Sequence, residues 1–258
     1  MLPKLIEFGD FFLPTYGLLV ALGFLAGLWV AGHLAQRDKL DPKAVTDLGI
    51  YLALAGLVGA KLMMILYDLP FYLSHPGDLF SMATLQAGGV FHGGLIAALL
   101  VAVWYVRKKN LPFLRVADCF APGVALGHGI GRLGCFAAGC CWGAKCDLPW
   151  AVTFTNPDAH QMVGVPLGIA LHPSQIYEAV AEFLIFGLLW TRATRQHAKG
   201  EIFALYLILY PLARFGIEFV RNHEQALTLG LSLAQWVALV LVALGAWLFM
   251  RVRRAAVL

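Results

Sequence analysis

Long apolar runs, separated by short polar or basic stretches, recur along the whole chain. Seven of them are long enough to cross a ~30 Å hydrocarbon core as a helix, which takes about 20 mostly apolar residues. They are Tyr16 to Gln36, Asp47 to Tyr67, Gly88 to Val106, Val116 to Ala137, Pro173 to Arg192, Gly200 to Val220 and Leu231 to Met250. Backbone groups in lipid must be satisfied within their own segment, so the pattern predicts helices. The strict alternation of a barrel strand is absent. The longest connection runs from about 138 to 172 and holds Pro149, Pro157 and Pro166 among polar residues. Its length predicts a small folded head rather than a turn. No internal repeat or low-complexity segment appears, so the chain reads as a single polytopic membrane domain over 1–258. The N-terminal stretch carries Glu7, Asp10 and one lysine. It lacks the basic start of a signal peptide and is expected to belong to the fold.

Composition strengthens this picture. Of 258 residues, 60% are hydrophobic and 13% charged, with a mean hydropathy of +0.75. A soluble domain is roughly 45–50% apolar and about 25% charged. A soluble enzyme, a disordered chain and a nucleic-acid binder are therefore excluded, and the net charge of +4 does not alter that. The basic residues instead sit where membrane proteins keep them. Arg37, Lys39, Lys43, Arg107, Lys108, Lys109, Arg115, Arg192, Arg195, Lys199, Arg251, Arg253 and Arg254 fall on one side of a seven-span topology, while Lys4, Lys145 and Arg221 fall on the other. The positive-inside rule then predicts an external N-terminus, a cytoplasmic C-terminus and an external head between the fourth and fifth spans.

Ionisable residues inside spans are costly and mark sites by default. Lys61, His92, His128, Arg132, Glu178, Glu182, Arg214 and Glu218 all fall in or at the ends of spans. With alternating span directions, they and Tyr16 are expected at one depth, in the outer half of the membrane. Tyr210, Arg214 and Glu218 recur every four residues and share a helical face, as do His128, Arg132 and Cys135. Two buried arginines with too little nearby acid would suit an anionic ligand, because the guanidinium fork matches phosphate. In an outer leaflet the abundant phosphate is a phospholipid head group. Each element also has a plainer reading: an Arg–Glu pair can be structural, His128 can be a packed histidine, Glu182 can simply neutralise a neighbour, and the glycine runs can be packing.

The motifs, in order, are Tyr16-Gly17, Gly88-Gly89 with His92-Gly93-Gly94-Leu95, Gly131-Arg132-Leu133-Gly134, the run His172 to Glu178, Tyr210 with Arg214 and Glu218, and Leu231-Ser232 with Gln235. In these the chain resembles the prolipoprotein diacylglyceryl transferases of bacteria from end to end. The resemblance implies an all-α integral membrane protein with seven transmembrane helices in the bacterial inner membrane, its site facing the outer leaflet. It implies transfer of the diacylglyceryl group of phosphatidylglycerol to the thiol of a lipobox cysteine in a preprolipoprotein held by its signal peptide, with release of glycerol 1-phosphate. A thiolate must attack the glyceryl carbon and a phosphate must leave. That chemistry would take Arg132 and Arg214 as phosphate clamps, His92 as base, Tyr16 and Tyr210 as orienting hydroxyls, and Glu218 to fix Arg214. Gly93, Gly94, Gly134, Gln175 and Glu178 join the arginines as expected substrate-binding positions. No metal or organic cofactor is expected, and the partners are the lipid, the lipobox peptide and surrounding membrane lipids.

The chain departs from the family pattern where Cys135 replaces a usual Asn, where Cys140 and Cys141 stand in place of a usual Glu, at Ala144 for Arg, and at Lys61 for Arg. The stretch before His92 also lacks a usual Ser. Two other functions therefore stand beside the first: the same fold moving a phospholipid-derived group to another acceptor, and a non-catalytic lipid-binding or lipid-transporting protein. Cys135, Cys140, Cys141 and Cys146 cluster within twelve positions. They read as packed small residues, as a disulfide such as Cys141–Cys146 in an oxidising compartment, as a metal site despite the lack of a C-x-x-C pair, or as a reactive thiol near Arg132. Cys119 reads as packing.

Overall fold

The structure, a computed structural model, describes residues 1–8, 11–81, 84, 89–221 and 228–255. Asp10 and Gly88 lie outside the described residues. The helices are α1 (Thr15–Arg37), α2 (Pro42–Tyr67), α3 (Leu69–Ser74), α4 (Phe91–Lys108), α5 (Phe113–Ala138), α6 (Pro157–Val163), α7 (Ser174–Ala193), α8 (Glu201–Glu218) and α9 (Leu233–Ala255). Each of the seven apolar runs is one long helix. Among the described residues, α1, α2, α4 and α9 are long and apolar enough to cross a membrane. Helices α5, α7 and α8 are diluted by Asp118, Arg132, Glu178, Glu182, Arg214 and Glu218. The protein is mostly helical, with two small additions that hydropathy did not reveal. A hairpin of β1 (Lys4–Phe8) and β2 (Phe11–Pro14) leads into α1, and β3 (Val152–Thr153) pairs with β4 (Ala170–Leu171).

The chain packs as two compact units. One joins Met1–Asp38 to Leu114–Leu258, and the other is Lys39–Phe113. In the second unit, Asp41 caps α2 by accepting from the Lys43 amide at 2.9 Å, with Pro42 at the first helical position. Helix α2 crosses α4 backbone to backbone. A Cβ on Gly59 would lie 2.5 Å from the Gly93 carbonyl oxygen, and one on Gly94 would lie 2.8 Å from that of Gly56. Only glycine permits that approach.

The first unit uses the same device at a different crossing. A Cβ on Gly27 would sit 2.7 Å from the Gly123 oxygen, and one on Gly127 would sit 2.8 Å from the Gly23 oxygen, so α1 and α5 meet through two reciprocal glycine pairs. Helix α8 packs between α7 and α9. The start of α8 is tied down by Asp118 of α5, whose carboxylate is buried and accepts from the amides of Gly200 and Phe203, the latter at 2.8 Å. A carboxylate suits this place because the first helical amides are unpaired and the helix dipole favours an anion.

The segment between α5 and α7 is a small folded head. Phe154, Ala159, Val165 and Leu171 form its buried core, with Phe136, Trp142, Val152 and Val163 packed around them. Within it, Asn156 caps α6 and Gly164, at φ 72°, ends that helix. Gly143 cannot be larger: a Cβ there would stand 2.5 Å from the Val220 oxygen and 2.7 Å from His172 Cβ. The Ala144 amide donates to Val220 and the Gly143 amide to His172, so this tight passage joins the head to the end of α8 and to the start of α7.

Candidate active site

Helices α5 and α7 run in opposite directions, as do α7 and α8. The second half of α5, the first turns of α7 and the second half of α8 therefore meet, and they bring together the polar residues of the first unit. Glu178 lies at the centre. Its Oε1 is 2.9 Å from Arg132 Nη2 and 3.8 Å from Arg214 Nε, and the side chain is 2% exposed. Arg214 also pairs with Glu218 one turn along α8. Glu218 in turn accepts from Ser232 Oγ at 2.9 Å. The Ser232 amide donates to Gln235 Oε1 at 2.9 Å, which ties the start of α9 to the same group.

His128 completes the other side. Arg132 Nε donates to His128 Nε2 at 3.1 Å, and His128 Nδ1 bonds to Glu182. If Nε2 accepts, the ring proton sits on Nδ1 and is given to the carboxylate. Both ring nitrogens are then engaged, so His128 orients Arg132 and is not an open base. The ring of Tyr210 meets His128 edge-on at 5.3 Å, and Tyr206 stacks on Tyr210. Tyr16, at the start of α1, has Arg132, Cys135, Cys140 and Cys141 as its ionisable neighbours. Gly134 allows this approach: a Cβ there would be 3.3 Å from the Tyr16 ring.

The expectation that the arginines are short of acid is overturned. Glu178, Glu182 and Glu218 stand among Arg132, His128 and Arg214, so the group is nearly balanced in charge. The arginines are oriented by carboxylates rather than left bare. Both guanidinium side chains remain 16% exposed while Glu178 is sealed. Each guanidinium has five N–H donors; Arg132 gives its Nε–H to His128 and pairs with Glu178 as an ion.

The residues expected to bind substrate divide into several groups. Arg132, Arg214, Glu178, Glu218, Tyr210 and Tyr16 gather as described. Gln175 is 1% exposed and gives its amide to the Cys140 carbonyl at 2.7 Å, so it holds the turn after α5. Gly93 and Gly94 lie in the other unit at the α2–α4 crossing, where packing accounts for their missing side chains. His92 stands beside them, exposed, with its ring against Phe91. Lys61, in the same unit, donates to the Thr84 carbonyl at 2.6 Å.

The Cys141–Cys146 disulfide does not form, and all five cysteines are free thiols. The reason is local. Cys146 is buried in the head and its sulfur accepts from the Leu148 amide. Cys141 turns the other way and joins Cys135 and Cys140, all three sulfurs lying within 4.8 Å of one another. Spacing along the chain did not reveal this convergence. The signal was present in Gly139, which at φ 82° ends α5 and folds the chain back over Cys135.

A mostly helical protein with apolar membrane-length helices and a buried Arg–Glu–Arg group belongs to the multi-pass membrane proteins. The model of the prolipoprotein diacylglyceryl transferase family matches residues 3–251. The chain belongs to that family. It is 36% identical over 257 residues to a phosphatidylglycerol–prolipoprotein diacylglyceryl transferase of Methylobacillus flagellatus, covering 95% of this chain and 94% of that one. To the enzymes of the same name from Clostridium tetani and Bordetella avium it is 32% and 36% identical, covering 96% and 98% of this chain and 97% and 95% of theirs.

Proposed function

We propose that this chain transfers the diacylglyceryl group of phosphatidylglycerol to the lipobox cysteine of a preprolipoprotein, as the names of its relatives describe. The observation that carries this reading is the pair of mostly buried but not sealed arginines, Arg132 and Arg214, sharing one sealed carboxylate in a chain of that family. Two fork-shaped donors held at one point suit a phosphodiester.

The acceptor thiol gives up its proton and the thiolate attacks the glyceryl carbon next to the phosphate ester oxygen. A carbon–sulfur bond forms, the carbon–oxygen bond breaks, and glycerol 1-phosphate leaves with one more negative charge than the diester carried. Arg132 and Arg214 stabilise that growing charge. Glu178, His128 and Glu218 hold the guanidiniums in place beforehand, so little reorganisation remains for the reaction. Tyr16 and Tyr210 orient the diester. His92 keeps the role the family resemblance gives it, acceptor of the thiol proton. In this reading all seven long helices span the inner membrane, the N-terminus and the head are periplasmic, and the C-terminus is cytoplasmic, as the Lys and Arg distribution favours.

Gly131, beside Arg132, has open space where its Cβ would be. Packing does not require glycine there, and its absent side chain leaves room for a ligand to pass close along the backbone. The test is direct. Purified protein in lipid nanodiscs is given labelled phosphatidylglycerol and a lipobox peptide. A thioether-linked product that is lost in Arg132→Ala and in His92→Ala supports the reading. Lipid binding without any product in the unaltered protein refutes it and favours a lipid-binding protein. A product on a different acceptor favours the related transferase.

A further inference from the structure

Cys135, Cys140 and Cys141 form a cluster that the transfer chemistry does not use. Their sulfurs lie within 4.8 Å of one another. In a tetrahedral site, thiolate sulfurs about 2.3 Å from a zinc ion stand roughly 3.8 Å apart. The cluster is thus within about 1 Å of a metal-binding arrangement, a distance that side-chain torsions cover without moving the backbone.

The backbone around the cluster is built for convergence. Helix α5 ends at Gly139, and the amides of Gly139 and Cys140 both donate to the Cys135 carbonyl, at 2.9 and 3.1 Å. Cys141 then takes φ 62°, a left-handed conformation that disfavours a side-chain-bearing residue by about 1–2 kcal/mol. The turn is clamped from α7: Ser174 Oγ donates to the Cys141 carbonyl and Gln175 Nε2 to the Cys140 carbonyl, both at 2.7 Å. A strained residue held by two buried side chains, Ser174 and Gln175 each 1% exposed, is what an over-determined functional turn looks like. Cys135 is buried, whereas Cys140 and Cys141 are partly open, so an ion has a way in. Arg132 and Arg221 are the positive neighbours of Cys141 and offset the charge of an all-thiolate site.

We propose that Cys135, Cys140 and Cys141 bind a single thiophilic d10 cation, Cu(I) or Zn(II), through three sulfurs. Soft thiolate donors select these ions over magnesium, calcium or manganese. Three sulfurs complete a trigonal Cu(I) site, and Zn(II) would add one water. Binding displaces the thiol protons and leaves the metal's oxidation state unchanged. The site stands on its own geometry, whether or not the transfer reading holds.

The full-length protein, purified in nanodiscs and fully reduced, is titrated separately with Zn(II) and with Cu(I) against a competing chelator. The expected result is one equivalent of at least one of the two ions, with X-ray absorption showing three sulfur neighbours. Bound metal shields Cys135, Cys140 and Cys141 from maleimide while Cys146 labels unchanged. Cys135→Ser and Cys141→Ser each lower affinity at least 100-fold, and Cys119→Ser and Cys146→Ser leave it unaltered. The labelling pattern is read on the unaltered protein, so it stands even if a serine variant fails to fold. Absence of stoichiometric binding by either ion, protection spread over all five cysteines, or a disulfide among the three that persists in protein prepared under reducing conditions would overturn the proposal.

Discussion

Replacing Glu178 with Gln keeps the shape of the side chain and removes the charge that Arg132 and Arg214 share. Glu178 lies 2.9 Å from one guanidinium and 3.8 Å from the other. Both contacts are ion pairs, and coupling energies of close charge pairs run from about 1.5 kcal/mol upward. The exchange therefore weakens the two contacts by at least about 1.5 kcal/mol together. At about 1.4 kcal/mol for each factor of ten in rate, a site that depends on this orientation loses at least roughly tenfold in kcat. KM for phosphatidylglycerol should not rise, since a carboxylate competing for the guanidiniums has gone. Glu218→Gln loosens Arg214 alone and should cost less than Glu178→Gln. Initial rates of lipobox-peptide lipidation, measured across lipid mole fraction in nanodiscs, separate kcat from KM. Removing one partner of a buried ion pair can cost roughly 3–5 kcal/mol of stability, so each variant is first shown to be monodisperse, with its Tm recorded. A well-folded Glu178→Gln protein with unchanged kcat would refute the positioning argument. One with raised KM and intact kcat would mean that Glu178 meets the lipid itself.

Gly123→Ala pushes a Cβ to 2.5 Å from the Gly27 oxygen and should destabilise the α1–α5 crossing by about 1–3 kcal/mol, read as a lower Tm in detergent. Gly131→Ala meets open space and should hold or raise Tm, since alanine is the better helix former by about 1 kcal/mol, yet lower transfer activity. A parallel fall in Tm would count against ligand approach there. Asp118→Ala removes the cap of α8 and should cost about 0.5–2 kcal/mol, while Asp118→Asn, which keeps an acceptor oxygen, should cost less; denaturation midpoints decide between them. Cys141, outside the helices, has its thiol pKa held below the ordinary value by hydrogen bonds from Cys135 and Cys140 and by the charges of Arg132 and Arg221. A lowered pKa keeps the reactive thiolate as pH falls, so in metal-free reduced protein Cys141 should alkylate at pH 6, where an ordinary thiol of pKa about 8.5 is nearly inert. Mass-spectrometric labelling that shows Cys141 slowing tenfold per pH unit below 8 would contradict this.

The helices were legible because each needs only a local signal. An apolar run of sufficient length has one stable form in lipid, and all seven runs became helices whose ends fall within a few residues of the hydropathy boundaries. The head was legible from its length and prolines for the same reason. The hairpin of β1 and β2 was not, because two paired strands of five and four residues leave no hydropathy pattern to follow. The division into two units was not either, since it depends on which glycines face each other. Gly123 and Gly127 stood out in the chain, but their partners Gly23 and Gly27 sit in an apolar stretch that reads simply as a span.

The candidate site shows the same division between local and distant information. Helical spacing placed Tyr210, Arg214 and Glu218 on one face and His128, Arg132 and Cys135 on another, and both faces are used. Spacing could not say how α5, α7 and α8 would meet, so Glu178 passed for one acid among several although it is the residue both arginines share. Glu182 bonds to His128, a partner that spacing along the chain does not identify. Counting acids along the chain undercounted the acids in space, and the arginines proved to be braced rather than bare. That changes the physical argument without weakening it. An unpaired buried guanidinium would attract any anion and be free to move, whereas one fixed by carboxylates on its far side has given up part of its attraction for a defined direction. A reaction whose leaving group gains charge at one oxygen profits more from direction than from net positive charge, because stabilisation aimed at the transition state accelerates it and uniform attraction for the lipid does not.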